Sequence, residues 1–348
     1  MKFVCLIVGA LITCAQSFAF APSWYKYYNH INNAEQLICK GDYGAACKQY
    51  KMACAINDTS IANINLYNAF HTGMMSGDTT FAKNQLHGLL QRGLHEKFIS
   101  NHILKYYSVP QQQCIRAWVD LYKGDTIVPS AMALYVQGLV DQDQGVRSYS
   151  SDLNDGSVNT DTVRKVDAKV QKELFDTLQK HTLGINAIGN GQSGPFNGLA
   201  YNIIILHNIQ MAESGENDFL FWSVVNKGLE QFSITPNEAL MFALAGPKVV
   251  TQKYMGSKEP LMFECLGYND SLFIPKIDKS KIAKINTIRQ QYGLCTIEDE
   301  ITKINYANKM GDKNRFYIDG AKQVMDTEQK EQLDKWLKKA VYPWSYAE

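Results

Sequence analysis

Asp143, Gln144 and Arg147 stand in the run DQDQGVR, with four positions from acid to base. On a helix that spacing puts both charges on one face and Gln144 beside them, so the three can form a polar group. Taken alone, such a pair is ordinarily a surface salt bridge. His207 directly follows Ile203-Ile204-Ile205-Leu206, which places an imidazole at the edge of an apolar helix. There it is either a hydrogen-bonded core residue or a base or ligand-binding group. Gln252 and Tyr254 follow a Gly246-Pro247 turn, an amide and an aromatic ring that either pack or bind. Arg289 precedes Tyr292-Gly293-Leu294, where Gly293 reads as a helix C-cap. In a hydrolytic arrangement His207 would be the general base, Asp143 would orient it, and Arg147 or Arg289 would hold an anionic group. The chain lacks G-x-S-x-G, H-E-x2-H and a P-loop lysine signature, so that arrangement has no recognisable nucleophile. No cofactor and no metal site are expected.

The other reactive side chains are cysteines. LICKGDYGAACKQYKMACA holds Cys39, Cys47 and Cys54. On one helix Cys47 and Cys54 would sit two turns apart, roughly 10 Å at 1.5 Å per residue, beyond the ~7 Å between Cα atoms that a disulfide spans. Cys39 and Cys47 flank a Gly41-Asp42 turn and can either pair or pack as small hydrophobes. Zinc is disfavoured, because no C-x2-C pair and no suitably spaced histidine accompanies these cysteines.

The elements that must position these residues are mostly helical. Periodic apolar segments run over 113–123, 130–147, 162–181, 198–213, 218–231, 236–245, 279–292, 296–309 and about 326–341. Residues 91–107 look like a further helical element, and Val109-Pro110 marks a boundary. The stretch 148–161 is polar, and MFECLGYNDSLFIPKI has two short apolar runs around Tyr268-Asn269-Asp270, hence a β-hairpin.

Near the N-terminus, Leu37, Gly41, Tyr43, Ala46, Tyr50 and Ala53 form L-x3-G-x-Y-x2-A-x3-Y-x2-A, which resembles the tetratricopeptide repeat. Gly41-Asp42 makes the turn, and small Ala46 and Ala53 let two helices approach closely. Thirty-six residues on, Gly77-Asp78, Ala82, Leu86 and Leu89 occupy the corresponding places. The resemblance implies a protein- or peptide-binding platform.

From about 130 to 305 the chain resembles an uncharacterised bacterial family, domain of unknown function 6624. The likeness rests on the order of its fragments: Asp143-Gln144 and Arg147, the apolar run ending in His207, Gln252, Tyr254 and Gly256, a hairpin leading to Pro275, and Arg289 before Gly293-Leu294. It implies a mostly helical domain with a polar cluster and no established activity. This chain departs from the family pattern where Leu183-Gly184-Ile185 replaces Gly-Trp-Pro and Ala245-Gly246 replaces Asp-Arg. Lys253 and Met255 also interrupt a compact Q-Y-G-T, and losing the Asp-Arg pair implies a weakened site if the family is enzymatic.

The expected fold class is thus mainly α: tetratricopeptide-like helical hairpins over 20–109, then a mostly helical unit over 110–348 with a small β-hairpin. Residues 1–19 read as a signal peptide, a basic residue and a short apolar run ending in Ser17-Phe18-Ala19, which predicts export to the periplasm or beyond. Leu11-Ile12-Thr13-Cys14 is a looser alternative, an anchor with Cys14 lipidated. Cleavage after Ala19 leaves six cysteines, for which fifteen pairings exist. A net charge of +1 over 348 residues, with no long run of either sign, argues against nucleic acid as partner, and no later segment is apolar enough to span a bilayer. Two functions fit: a binding module that takes a protein or peptide on its repeats, or a hydrolase-like enzyme using His207.

Overall fold

In the computed structural model the described residues run from 23 to 318, apart from 58–61, 125–130, 152–159, 181–201, 215–219, 233–234, 238, 241–260, 262–264, 269–270 and 276–278. Beyond 318 they are 324–326, 331, 334 and 341–345. The architecture is mostly helical, and it opens with helical hairpins.

Helices α1 (Ser23–Cys39) and α2 (Tyr43–Ile56) form the first hairpin, α3 (Asn63–Ser76) and α4 (Thr79–Gln91) the second. The two turns are built alike. Gly41 and Gly77 adopt φ of +77° and +81°, a left-handed conformation that a side chain would strain. The aspartate after each glycine caps the next helix: Asp42 accepts from the Ala45 amide at 3.0 Å, Asp78 from the Phe81 amide at 3.1 Å. Ala46, Ala53 and Ala82 are buried between helices. At the α3–α4 crossing a Cβ on Gly73 would lie 3.0 Å from the Cβ of Ala82, so only glycine permits that approach. Cys47 and Cys54 share α2, and none of Cys39, Cys47, Cys54, Cys114 and Cys295 forms a disulfide.

Helix α3 is the centre of this unit. Every residue from Asn65 to Met74 is buried, including Asn65, Asn68, His71 and Thr72. A helix buried on all sides ordinarily carries few polar groups, because each needs an internal partner.

The hairpin core does not stop at the expected boundary. After α4 the chain passes through a single helical turn at Glu96–Phe98, a π turn at Ile99–Ile103 and a 3-10 turn at Leu104–Tyr106. Val109-Pro110 then begins α5 (Val109–Leu121), capped by Ser108 with its partner Gln111, instead of separating two units. Ile115 and Val119 of α5 pack into the same core as the hairpins, and so do the distant Phe316 and Ile318.

The second core is built by α6 (Ala131–Ser151), α7 (Thr160–Lys180), α8 (Asn202–Ser214), α9 (Trp222–Glu230), α10 (Lys279–Gln291) and α11 (Ile297–Met310). Val136 and Leu139, Val170 and Leu174, and Ile204, Ile205 and Ile209 interdigitate across α6, α7 and α8. β1 (Cys265–Tyr268) and β2 (Ser271–Pro275) pair antiparallel, with Leu266 opposite Phe273. β3 (Val324–Asp326) joins β1 in parallel and β4 (Val341–Ser345) joins β2 antiparallel, giving the order β3-β1-β2-β4. Most of the segment expected as a helix over about 326–341 lies outside the described residues; 331 and 334 are helical, Asp326 ends β3 and a strand begins at Val341. Most of the segment expected as a helix over 236–245 lies outside the described residues.

The two cores are joined through polar contacts. Lys303 of α11 pairs with Glu35 of α1 at 2.5 Å, Asn32 donates to the carbonyl of Gly293 at 2.9 Å, and Gln36 donates to that of Asp299 at 2.8 Å. Among the described residues no helix is long and apolar enough to cross a membrane.

Candidate functional site

Asp143 lies on α6 at the edge of the apolar face formed by Val136 and Leu139, and packing against α7 and α8 removes it from solvent. A buried carboxylate must be paired. His207 Nδ1, from α8, stands 3.0 Å from Asp143 Oδ1. Arg147 Nη1 stands 3.1 Å from the same oxygen and donates to the Asp143 carbonyl at 2.7 Å. Gln144 Nε2 donates to Asp143 Oδ2 at 2.6 Å. Burial works against the ionised form of Asp143, but the bonds from His207 and Gln144 and the neighbouring Arg147 guanidinium outweigh it. The carboxyl group is held below its ordinary range.

Asp167 of α7 completes the cluster. Arg147 Nη2 reaches both of its oxygens, at 2.7 and 2.8 Å, so the guanidinium bridges two carboxylates from neighbouring helices. Asp143, Asp167 and His207 present ligand atoms within 4.8 Å of one another, a donor set of the kind divalent ions use. Arg147 bonds to both carboxylates of that set, and its guanidinium supplies the positive charge an ion would bring.

The imidazole of His207 keeps 13% of its exposure while Asp143 keeps none. With Nδ1 donating to the buried carboxylate, Nε2 carries the lone pair and can accept a proton or a donor group. Among the described residues His207 makes no hydrogen bond to a serine, threonine or cysteine.

Of the residues singled out in the sequence, Asp143, Gln144, Arg147 and His207 come together. Gln252 and Tyr254 lie outside the described residues. Arg289 does not join the cluster as a binding group. It is fully buried, pairs with Glu300, and donates to the carbonyls of Cys295, at 2.8 Å, and Leu261. Its donors are thus spent on holding α10 against α11. Three of the thiols are poor nucleophiles as well: burial and the neighbouring Glu35 push Cys39 up to about 12, and burial raises Cys47 and Cys295.

Sequence reasoning missed Asp167 and a second polar group, on α3. Asn68 donates from Nδ2 to the carbonyl of Tyr317 and accepts the Tyr317 amide on Oδ1 at 2.8 Å. Three residues on, His71 Nδ1 lies 2.6 Å from the Tyr107 hydroxyl, and its Nε2 has no hydrogen-bond partner among the described residues. Burial and the charge of Arg315 hold the His71 imidazolium pKa well below its usual range, so His71 is neutral. Asn68 was legible only as a polar residue inside NINLYNAFHTGMM, a stretch too apolar to lie on a surface.

Comparison with protein-family models, with curated proteins and with solved structures finds no match to this chain.

Proposed function

We propose that the protein is an exported binding module. Its N-terminal helical hairpins recognise a polypeptide segment, and the Asp143–Arg147–Asp167–His207 cluster serves as a polar ligand site in the C-terminal unit. The observation that carries this reading is the paired grip of Asn68 on both main-chain groups of Tyr317. A side-chain amide bonded in this way holds any extended strand without regard to its side chains, which is how a platform recognises polypeptide. The likeness of the hairpins to tetratricopeptide repeats points the same way. The test is selection from a displayed heptapeptide library on the full chain and on its Phe316→Ala form, in which the cover of the same surface is loosened. Enriched sequences that compete with one another support the reading; no enrichment on either form overturns it.

A second reading rests on a different observation, the alignment of the partly exposed His207 by the buried Asp143. This is the geometry of a general base, and it would make the C-terminal unit hydrolase-like, with water as the nucleophile and Arg147 as the neighbouring cation. Turnover of p-nitrophenyl acetate that falls at least tenfold in His207→Ala, with the melting temperature kept, supports it. Equal turnover by both proteins removes it.

A further inference from the structure

The segment Asn314–Ile318 follows a 3-10 turn at Gly311–Lys313 and enters the hairpin unit in an extended conformation, with Asn314 at φ −70° and ψ 113°. Its residues meet the surface one by one. The Asn314 carbonyl accepts from the Tyr106 hydroxyl at 2.8 Å, and the Arg315 guanidinium lies 5.6 Å from the centre of the Tyr106 ring. Phe316 is buried, stacked on Tyr43 with ring centres 5.7 Å apart and edge-on to His71 at 6.0 Å. The main chain of Tyr317 is held by Asn68, while its side chain stays 44% exposed with the ring edge-on to Tyr67. Ile318 is buried again. In, out, in is the period of an extended strand. A main chain gripped at the outward residue and side chains read at the inward ones is the pattern of a bound peptide.

The receiving surface differs from an ordinary apolar core. It consists of Tyr43, Tyr67, Asn68, His71 and Tyr106, which offer rings, an amide and an imidazole whose Nε2 is buried without a partner among the described residues. The occupant is short, and its nearest helical anchor is α11.

We propose that this surface is a site for an extended segment of another polypeptide with the pattern basic–aromatic–x–aliphatic, and that Arg315-Phe316-Tyr317-Ile318 is its built-in occupant, which an incoming segment must displace. The proposal rests on the hairpins being a polypeptide platform and adds the pattern they select and the element that blocks them. The basic position is set by the Tyr106 ring, the aromatic position by Tyr43 and His71, and position x by the grip of Asn68 on the main chain, with the ring there edge-on to Tyr67. Asn68 fixes the direction of the strand through one donor and one acceptor.

The test uses a fluorescein-labelled peptide copying 313–319, Lys-Asn-Arg-Phe-Tyr-Ile-Asp, and its anisotropy with the full chain. Phe316→Asp in the chain would bury an unpaired carboxylate, so the resident segment leaves. That variant should bind the peptide at least tenfold more tightly than the parent, and alanine at the peptide's phenylalanine should abolish binding. If circular dichroism shows that Phe316→Asp fails to fold, Tyr317→Pro, which removes the donor to Asn68 together with the ring edge-on to Tyr67, takes its place. Equal tight binding by parent and variant overturns the resident-occupant proposal and leaves the platform reading standing. No binding by the folded variant overturns the proposed pattern, while library selection decides the platform separately. A variant that dimerises without taking up peptide also overturns the proposal, in favour of strand exchange between copies.

Discussion

Replacing Lys303 by methionine tests whether the two cores are locked by charge. The Lys303 ammonium and the Glu35 carboxylate are 1% and 0% exposed and 2.5 Å apart, and Lys303 also donates to Asn32 Oδ1 at 3.1 Å. Removing one partner of a buried pair strands the other charge, at a cost of about 3–5 kcal/mol. A cavity of ≈ 10 Å³ bordered by Asn32, Glu35, Gly293 and Cys295 bears on where in that range the value falls. Space of roughly that size admits about one water, which would partly solvate the stranded carboxylate and bring the loss to about 3 kcal/mol. The double change Glu35→Leu/Lys303→Met removes both charges and should return to within about 1 kcal/mol of the parent, since apolar replacement of a buried pair is commonly neutral or better. Urea denaturation followed by far-UV circular dichroism gives all four corners of the cycle. A single-variant loss under about 1 kcal/mol, or a double variant as unstable as the sum of the singles, would refute the reasoning.

Other expectations follow from the same geometry. Ala82→Leu would overpack the Gly73 crossing and should lower stability by about 1–3 kcal/mol, read from a denaturant midpoint; an unchanged midpoint contradicts the close approach. His71 stays neutral in the fold, so below an unfolded pKa of about 6.5 the unfolded chain binds a proton that the folded chain does not, and stability falls with pH. Between pH 6.5 and 5 this amounts to about 1.7 kcal/mol, which His71→Phe should remove; parallel losses in parent and variant argue against it. The proposed export implies a mature chain that N-terminal sequencing finds to begin at Phe20, and a lipid-bearing Cys14 would replace export with anchoring.

Much of the hairpin geometry was legible because local rules impose it. Gly41-Asp42 and Gly77-Asp78 each place a left-handed residue before a capping carboxylate, and no distant contact is needed for that. The Asp143–Arg147 pair was legible for the same reason, as a one-turn relation on one helix, and His207 was marked by the apolar run before it. Asp167 was not, since on α7 it is one charge among many and only the packing of α6 on α7 distinguishes it. Arg289 misled because its partner Glu300 lies beyond the Gly293 turn, where only the folded chain brings carboxylate and guanidinium together. Asn314–Ile318 has no helical or alternating length of its own, and its conformation is imposed by a helix that ends some 240 residues earlier.

That separation has a kinetic side. Phe316 and Ile318 belong to the core of hairpins whose other members lie mostly before residue 120, and Asn68 finds its partner 249 positions later. A chain made from its N-terminus at about 5–20 residues per second therefore presents an unfinished aromatic surface for on the order of 10–50 s before its cover is synthesised. Contacts of such range also slow folding, because the loop must close before they form. The nascent hairpins are open to chaperones, or to aggregation, throughout that interval.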